Sequence, residues 1–348
     1  MNRIGLLAAA AFAAVVGLSV ATTPGNWQTN ALTKTLDAVK QRGSLICGVN
    51  GSIPGFSISD GAGHWAGFDV DYCRAIAVAI FGDATKVNFV ATTATQRFPA
   101  LQSGAVDVLV RNTTWTSDRD SMRGFLFTGV NYYDGQGFMV KTSLGAKSAK
   151  DLNDPTVCVE SGTTSELNVA TYFKASEKAY KLLVFDKRDL AVQAYLADRC
   201  NVYTTDMSGL HSVRVQQMRP RDHLILPEII SKEPLGPCVR RDDTQWFSIV
   251  RWVHFALLSA EELSVTQDNV EQMRGSTDVD VKLLLGSDGD FGQGLGLVSD
   301  FAAQIIKAVG NYGEIFERNV GSGSRLKIAR GLNNLWNKGG LQYAPPVR

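Results

Sequence analysis

The sequence predicts an α/β protein with two lobes, each built on a mixed, mostly parallel sheet. Two observations support this prediction. Short apolar strands alternate with amphipathic helices in the first part of the chain, and the same alternation starts again after Lys141. Strands that alternate with helices favour right-handed βαβ units, in which neighbouring strands run parallel. The length of 348 residues also suits two domains, because single domains commonly hold about 100–200 residues.

The first block of elements lies between residues 33 and 110. Cys73, Ile76 and Ile80 recur at the helical period and predict a helix over 68–81. The strands are short apolar runs bounded by turn residues. The predicted helices cover 33–42, 68–81 and 97–103, and the predicted strands cover 45–49, 65–68, 87–90 and 106–110.

The second block repeats the alternation between residues 152 and 217 without a detectable sequence repeat. A short helix ends at 152–155. The later helices are predicted over 164–175, 188–197 and 209–217, and the strands over 156–159, 182–185 and 202–205. Because both blocks predict a sheet with covering helices, we expect two lobes that face each other across a cleft.

Two segments connect the blocks. Residues 135–140 lead out to the second block, and a strand around 235–240 returns from it. These crossings divide the chain into lobe 1, at 33–140 and 238–348, and lobe 2, at 141–237. Lobe 1 includes a C-terminal helical region with helices predicted over 244–263, 301–309 and 315–320, and a glycine-rich loop over 286–296.

The N-terminus predicts a cleaved secretory signal peptide at residues 1–21. A positive start at 1–3 precedes an apolar run over 4–20, and Ser19 and Ala21 are small residues at the positions that a signal peptidase reads. An uncleaved membrane anchor is the alternative, but the run is shorter and richer in alanine than the ~20 strongly apolar residues of a span. No lipoprotein cysteine lies in this segment, so we expect a free periplasmic protein.

Composition and charge exclude several partner classes. Hydrophobic residues make up 45% of the chain and charged residues 20%, which is typical of a globular protein. Lys and Arg number 35 against 34 Asp and Glu, for a formal net charge of +1. This balance argues against binding to nucleic acid or to a membrane surface through a basic patch.

The cysteines indicate disulfides rather than a metal site. The five cysteines contain no C-x-x-C pair and stand apart from the four histidines, so we expect no zinc site and no other cofactor. An exported compartment permits disulfides, and an odd number leaves one thiol unpaired.

Three polar segments at strand ends could bind a free α-amino acid. Such a ligand carries a carboxylate, which an Arg and backbone N–H groups recognise, and an ammonium, which an Asp or Glu recognises. Segment 111–119 (RNTTWTSDR) offers hydroxyls and Arg119. Segment 160–164 (ESGTT) precedes a helix, whose N-terminus favours anions. Segment 203–206 (YTTD) places Asp206 at the carboxyl edge of a sheet, where open α/β folds bind ligands.

Each segment also has a purely structural interpretation. Threonines between a strand and a helix are commonly N-caps. Asp206 could cap the helix that follows it, and Arg119 could be a solvated surface residue. The three segments together favour a ligand site over three unrelated caps.

Several motifs are shared with one known family. They are GFDVD at 67–71, RFPALQSG at 97–104 with Asp107, RNTTWTSDR at 111–119, YYDGQGF at 132–138, VESGTT at 159–164, KEPLGP at 232–237, GNYGEIF at 310–316 and the segment 334–345. Through them the chain resembles the periplasmic substrate-binding proteins of polar amino-acid ABC importers, and within them the general L-amino-acid receptor subgroup. The resemblance spans essentially the whole mature chain. It implies a type II periplasmic-binding-protein fold with a two-strand hinge.

The resemblance implies a role for each matching position that would bind the ligand carboxylate. Arg119 would clamp this carboxylate bidentately, helped by Asn112 and Thr114 from lobe 1. Thr164, with Thr163 and the N–H groups of the preceding loop, would close on it from lobe 2.

The resemblance also implies how the rest of the ligand is bound. Asp206 would bind the ammonium. Ile53 and the segment 92–97, which includes Thr92 and Arg97, would contact the ligand side chain. Many relatives carry an aromatic residue where Ile53 stands, and its absence here suits a tolerant pocket.

The resemblance further implies a pairing of the cysteines. Cys47 on the first strand would pair with Cys73 on the helix that packs over it. Cys158 and Cys200 would pair within lobe 2. Cys238, on the returning strand, would be a buried free thiol.

The sequence therefore predicts a monomeric periplasmic receptor that captures free L-amino acids, with broad specificity, and delivers them to the permease subunits of an ABC importer. The alternative is a periplasmic enzyme on the same fold, such as a prephenate- or arogenate-type dehydratase, with Glu160 as the candidate acid. A ligand-sensing module, the third possibility, would need an attached transmembrane or signalling domain.

Overall fold

The computed structural model describes residues 34–348, so the predicted signal peptide at 1–21 lies outside the described residues. Two larger sheets and one small sheet organise this part of the chain. The strands are β1 (Leu45–Val49), β2 (Ser52–Ile53), β3 (Ser57–Ser59), β4 (Trp65–Ala66), β5 (Val87–Ala91), β6 (Val108–Leu109), β7 (Phe125–Phe127), β8 (Tyr132–Lys141), β9 (Thr156–Glu160), β10 (Lys181–Phe185), β11 (Val202–Asp206), β12 (His223–Ile225), β13 (Ser231–Leu235) and β14 (Cys238–Arg240).

Both larger sheets are mixed, as predicted. The first sheet has the order β5-β1-β6-β14-β7, with β1 parallel to β5 and β6 and with β14 antiparallel to its neighbours. The second has the order β10-β9-β11-β8-β12, and β13 pairs with β8 as well. Here β9 is parallel to β10 and β11, whereas β8 is antiparallel to each of its partners. The antiparallel strands β2, β3 and β4 form the small third sheet.

Most of the predicted helices are present with small shifts at their ends. Those predicted over 68–81, 164–175 and 301–309 have the predicted bounds. The helix predicted from 315 begins earlier, because the Asn311 side chain accepts a hydrogen bond from Glu314 N and Glu314 bonds back to Asn311 N in a capping box. The helices are α1 (Thr35–Arg42), α2 (Phe68–Phe81), α3 (Arg97–Gln102), α4 (Thr164–Ala175), α5 (Arg188–Leu196), α6 (Met207–Gln216), α7 (Thr244–Glu262), α8 (Val270–Met273), α9 (Val279–Leu285), α10 (Phe301–Val309) and α11 (Tyr312–Asn319).

The returning connection differs from its prediction. The single strand predicted at 235–240 is two strands, β13 in the second sheet and β14 in the first. Gly236 and Pro237 separate them, and Pro237 has no N–H with which to continue a ladder. Gly236 lies against the outgoing chain, since a Cβ built on it would lie 2.0 Å from the carbonyl oxygen of Gly129. The two crossing segments therefore run side by side, joined by the hydrogen bonds Thr128 N to Pro237 O (3.0 Å) and Asn131 N to Leu235 O (2.9 Å).

Strand pairing also bears on where the lobes meet. All of β8 (Tyr132–Lys141) lies in the second sheet, whereas the sequence prediction ends lobe 1 at residue 140. A sheet cannot be divided along one of its strands, so we propose that lobe 2 begins at the start of β8 and ends with β13.

The core of the first lobe is continuous with the C-terminal region. Phe68 and Tyr72 of α2 are buried in one cluster with Trp246 of α7 and with Tyr312 and Phe316 of α11. The second lobe has one core on each face of its sheet: Phe138 and Val140 belong to one core cluster and Met139 to the other, as alternation along a strand requires. None of the helices in residues 34–348 has the length and apolar character needed to cross a bilayer.

The cysteines pair as the resemblance implies. The Sγ atoms of Cys47 and Cys73 lie 2.06 Å apart, and those of Cys158 and Cys200 lie 1.91 Å apart. Cys238 of β14 is buried and unpaired. Each disulfide links two residues of the same lobe, so neither restrains the movement of one lobe against the other.

Candidate functional site

The candidate site lies where the two lobes face each other, and hydrogen bonds already cross between them. The backbone N of Ala94 donates to Glu160 Oε1 at 3.3 Å. Arg188 Nη1 donates to the carbonyl oxygen of Ser52 at 2.9 Å. The Ser212 hydroxyl donates to the carbonyl oxygen of Pro54 at 2.7 Å. The structure is therefore one in which the cleft is closed.

Glu233 occupies the centre of this interface, and the sequence interpretation missed it as a site residue. Its carboxylate is only 1% exposed. It accepts hydrogen bonds from Thr114 Oγ1 at 2.6 Å and Thr164 Oγ1 at 2.9 Å, and from Asn168 Nδ2 at 2.7 Å and Ser231 Oγ at 2.6 Å. One carboxylate thus ties a threonine that follows β6 to the first turn of α4.

These bonds change the chemistry that the two threonines can offer. A hydroxyl group has one proton to donate, and both Thr114 and Thr164 donate theirs to Glu233. Towards a ligand they therefore present oxygen lone pairs, which suit an ammonium rather than a carboxylate. The resemblance assigns both side chains to the ligand carboxylate, which stays a prediction; in this closed cleft the ligand carboxylate also needs donors whose protons are free.

Arg119 is the strongest candidate among those donors. It lies on a single π-helical turn, Asp118–Met122, and is 6% exposed, which excludes the solvated-surface interpretation. Its Nη1 donates to the carbonyl oxygen of Thr114 at 2.8 Å, and its guanidinium lies 5.2 Å from the centre of the Phe98 ring. Burial lowers the pKa of Arg119, and the negative charges of Glu233 and Asp206 offset this lowering only in part. The cation is thus held in place near two carboxylates.

Asp206 lies at the end of β11, as predicted, and is 6% exposed. It does not cap α6, because its side chain makes no capping hydrogen bond there. Instead it accepts a hydrogen bond of 3.4 Å from Asn112 Nδ2, which comes from the other lobe. Burial raises the pKa of Asp206 well above its usual range, and the charges of Asp134 and Glu233 raise it further.

Asp134 is half-buried and forms a group of three carboxylates with the buried Asp206 and Glu233. It accepts hydrogen bonds from Gly135 N at 2.8 Å and from Ser208 N, in the first turn of α6, at 3.3 Å. Burial raises the pKa of Asp134 to about 6. Because three carboxylates repel one another, a cation placed between them would be stabilised.

The segment 160–164, predicted to bind the ligand carboxylate, is partly used within the fold. Thr163 caps α4: its Oγ1 accepts from Glu166 N at 3.2 Å and donates to the carbonyl oxygen of Glu160 at 2.8 Å. The amide of Gly162 donates to Glu166 Oε2 at 2.9 Å. The structural interpretation of this segment as an N-cap therefore holds for Thr163.

The residues predicted to contact the ligand side chain separate into two groups. Ile53 is 4% exposed and belongs to the core cluster of the first lobe. Thr92 and Arg97 are buried outside this cluster. Thr92 Oγ1 donates to the carbonyl oxygen of Val49 at 3.3 Å, whereas the Arg97 guanidinium lies 4.9 Å from the centre of the Phe98 ring and its Nε has no hydrogen-bond partner within residues 34–348.

A cavity of about 390 Å³ opens beside these groups, and both lobes line it. Arg111 forms part of its wall, donating from Nε to the carbonyl oxygen of Thr92 at 3.0 Å and lying with Nη2 3.6 Å from Glu160 Oε1. The lining residues are Asn50, Gly51, Ser52, Ala91, Thr92, Thr93, Gln96, Arg111, Glu160, Lys187, Arg188 and Asp189. Their polar character indicates a site for a polar ligand group.

Comparison with known proteins places this geometry in context. Residues 45–269 match the bacterial extracellular solute-binding proteins, family 3. The chain is 56% identical over 345 residues, covering 99% of each chain, to the general L-amino acid-binding periplasmic protein AapJ of Rhizobium johnstonii. It is 50% identical over 319 residues, covering 91% of this chain and 94% of the relative, to the glutamate/glutamine/aspartate/asparagine-binding protein BztA of Rhodobacter capsulatus.

A solved structure shows the same architecture. It is an ABC transporter periplasmic binding protein from Brucella ovis with glutathione bound, which is 57% identical to this chain. The superposition has a TM-score of 0.89 and covers 90% of this chain and 99% of the other. The two-lobed arrangement described above is therefore that of a type II periplasmic binding protein.

Proposed function

Because this chain belongs to the bacterial extracellular solute-binding proteins, family 3, we propose that it captures free L-amino acids and delivers them to an ABC importer. The observation that carries the proposal is the position of Arg119 and Asp206, a buried guanidinium and a buried carboxylate from opposite lobes, beside one shared interface. These are the two charges that the backbone of a free amino acid complements.

The proposed binding mode follows from the hydrogen bonds. Arg119 binds the ligand carboxylate with the guanidinium nitrogens that Thr114 O leaves free. Asp206 binds the ammonium, and the threonine oxygens beside Glu233 add acceptors to it. Because these groups come from both lobes, the ligand stabilises the closed cleft over the open one.

Broad specificity is part of the proposal. All free α-amino acids carry the same two charges, the ammonium and the carboxylate, and Arg119 and Asp206 bind these. The ligand side chain then lies in the adjoining polar cavity. Ile53, where an aromatic wall would restrict the ligand, lies in the core of the first lobe instead. The names of AapJ and BztA, a general receptor and a receptor for four amino acids, support the same view.

The proposed receptor works in the periplasm as a monomer, after cleavage behind Ala21, and presents its closed form to permease subunits. Both curated relatives described above are binding proteins, and AapJ is periplasmic by name. Mass spectrometry of the protein purified from a periplasmic fraction tests the cleavage, with Thr22 as the expected first residue.

We also propose that the protein is a receptor and not an enzyme. Glu160, the candidate acid of the enzymatic alternative, lies 3.6 Å from Arg111 and accepts from the Ala94 amide. Its Oε1 is therefore already engaged by two groups of the first lobe. Turnover of prephenate or arogenate by the purified protein would overturn this proposal.

Calorimetry with a panel of L-amino acids tests the main proposal. We expect binding to wild-type protein and a loss of about 100-fold or more in Arg119→Lys, which keeps the charge but not the planar fork. Arg123→Lys is the matched control, since Arg123 lies next to the same π-helical turn but is exposed and pairs with Asp118. Wild-type protein that binds no L-amino acid would reject the proposal.

A further inference from the structure

Arg188 is a buried arginine whose hydrogen-bonding capacity is only half used. It begins α5 and is 6% exposed. Its Nη1 donates to the carbonyl oxygen of Ser52 and lies 3.4 Å from Asp189 Oδ1. Its Nε and Nη2 are buried, and neither has a hydrogen-bond partner in the described part of the chain.

The unused nitrogens have a definite geometry. Nε and Nη2 lie on the same edge of the planar guanidinium, and their two N–H bonds point the same way. This edge matches the two oxygens of a carboxylate, which it binds through parallel charge-assisted hydrogen bonds. A buried cation with an unpaired edge is costly in free energy, so the site is favourable only when an acceptor fills it.

The surroundings of Arg188 select an anion. Arg188 lines the cavity of about 390 Å³ with two further cations, Arg111 and Lys187. Glu160 is the acid nearest Arg111, which it neutralises in part. Asp189 is the other acid on the wall, and its side chain is 60% exposed, so water screens its charge. The first turn of α5, with its partial positive charge, lies on the same wall.

We propose that the Nε and Nη2 edge of Arg188 binds a second carboxylate, carried by the side chain of the ligand. This proposal rests on the proposed function, in which Arg119 and Asp206 hold the α-amino-acid end. The ligand class is then the dicarboxylic amino acids together with γ-glutamyl peptides, which also carry a distal carboxylate. The Brucella ovis structure holds glutathione, a molecule with one free α-amino-acid end and a distal carboxylate.

Arg188 also has a structural role, because its bond to Ser52 O helps to close the cleft. That role acts on every ligand alike, whereas a carboxylate site acts on charged ligands alone. The ratio of the affinities for a charged ligand and its uncharged analogue therefore distinguishes the structural role of Arg188 from carboxylate binding. L-Glutamate and L-glutamine have nearly the same shape and differ in the charge of the distal group, as do glutathione and its glycine monoethyl ester.

Calorimetry on wild-type protein and Arg188→Gln with these two ligand pairs is the test. We expect wild-type protein to prefer the carboxylate member of at least one pair by about tenfold or more, and Arg188→Gln to reduce that preference to about threefold or less. Such a ratio corresponds to the loss of one charge-assisted bidentate contact. Lys174→Gln, which removes a positive charge from the exposed surface of α4 outside this cavity, is expected to leave the preference intact.

The other results overturn the inference. Equal losses for both members of each pair in Arg188→Gln would show that Arg188 only closes the cleft. A wild-type protein without preference for the carboxylate member of either pair also overturns the inference. This measurement does not depend on the folding of a variant. Either result leaves the proposed function standing, which falls only if no L-amino acid binds wild-type protein.

Discussion

The carboxylate of Glu233 accepts a hydrogen bond of 2.6 Å from Thr114 and one of 2.9 Å from Thr164, so a single buried acid joins the two lobes at the cleft. The same carboxylate takes the hydroxyl protons that a ligand carboxylate would otherwise use. Under the proposed binding mode, Glu233 helps to determine which end of the ligand meets the threonines. It also links the stability of the protein to the closed arrangement.

Glu233→Ala is expected to destabilise the protein by about 2–4 kcal/mol, because it leaves the donors of Asn168, Ser231 and both threonines without their acceptor. Urea unfolding of ligand-free protein measures the change. Glu271→Ala is the control, since Glu271 is exposed and its surface ion pairs with Lys307 and Arg274 add little to stability. Equal stability of the two variants would contradict the central position of Glu233.

Asp206→Asn is expected to lower amino-acid affinity by about 100-fold or more while leaving the ligand-free protein at least as stable. Burial and the charges of Asp134 and Glu233 destabilise the charged form of Asp206. An amide carries no charge and removes that repulsion. The amide can also donate to Asn112 Oδ1, which has no partner in the described chain. Thermal unfolding should show a midpoint equal to wild type or about 1–3 °C higher. A lowered midpoint with binding retained would show a structural role for Asp206 instead.

Asp69 and Asp134 are expected to cost the ligand-free protein stability as the pH rises from about 4 to about 7, whereas His211 and His254, whose pKa values burial lowers to about 4 and about 3, act in the opposite direction. Burial raises the pKa of Asp69 to about 7 and that of Asp134 to about 6, so the folded protein binds these protons more tightly than the unfolded chain, where both groups titrate near pH 4. Their contribution is present in full below pH 4 and is lost as the pH passes the folded values, by up to about 1.4 kcal/mol per pH unit and group. Urea unfolding of wild-type protein and Asp69→Asn across this range isolates the contribution of Asp69, because the stability of the variant relative to wild type should increase with pH by up to about 1.4 kcal/mol per pH unit. A stability difference between the two proteins that does not change with pH would contradict the assignment.

The fold could be predicted from the sequence wherever local pattern decides the structure. The helices at Phe68–Phe81 and Thr164–Ala175 have the predicted bounds, because periodic apolar residues and capping residues define them. The strands Ser52–Ile53 and Ser57–Ser59 were not predicted, since two or three residues are too few to show a period of two. The break between β13 and β14 was also missed, because it depends on how closely Gly236 approaches the outgoing chain.

The candidate site was predictable in its charges but not in its contacts. Arg119 and Asp206 stand out in the sequence by type and by position at strand ends, and the structure places both beside the cleft. Glu233 shows no such signal, since its role depends on donors from two segments that are distant in sequence, Thr114 and the first turns of α4. Arg188 begins a helix and has the sequence character of a surface residue, yet the opposite lobe buries it. Contacts between lobes leave no local pattern in the sequence.

Cys238 is expected to be unreactive in the native protein. Burial raises the pKa of its thiol to about 12, and the thiolate is the reactive form. A thiol reagent should therefore modify no cysteine in folded protein, one in denaturant, and four more after reduction of the two disulfides. Rapid modification of the folded protein would contradict the buried position.

Gly162→Ala is expected to weaken amino-acid binding by about tenfold or more through a contact that exists only in the closed cleft. Gly162 has φ +70°, and a Cβ built on it would lie 2.9 Å from Thr95 Cγ2 of the other lobe. The backbone strain, about 1 kcal/mol, is present in both open and closed forms, whereas the clash with Thr95 opposes closure alone.

Gly145→Ala is the matched control for this variant, because Gly145 has φ +77° and open space around it. Both variants should lose similar stability in urea, but Gly145→Ala should bind amino acids like wild-type protein. Adding Thr95→Ser to Gly162→Ala removes the clashing methyl group and should restore most of the affinity. If that double variant binds no better than Gly162→Ala, the loss arises from backbone strain and the two lobes do not meet at this position during binding.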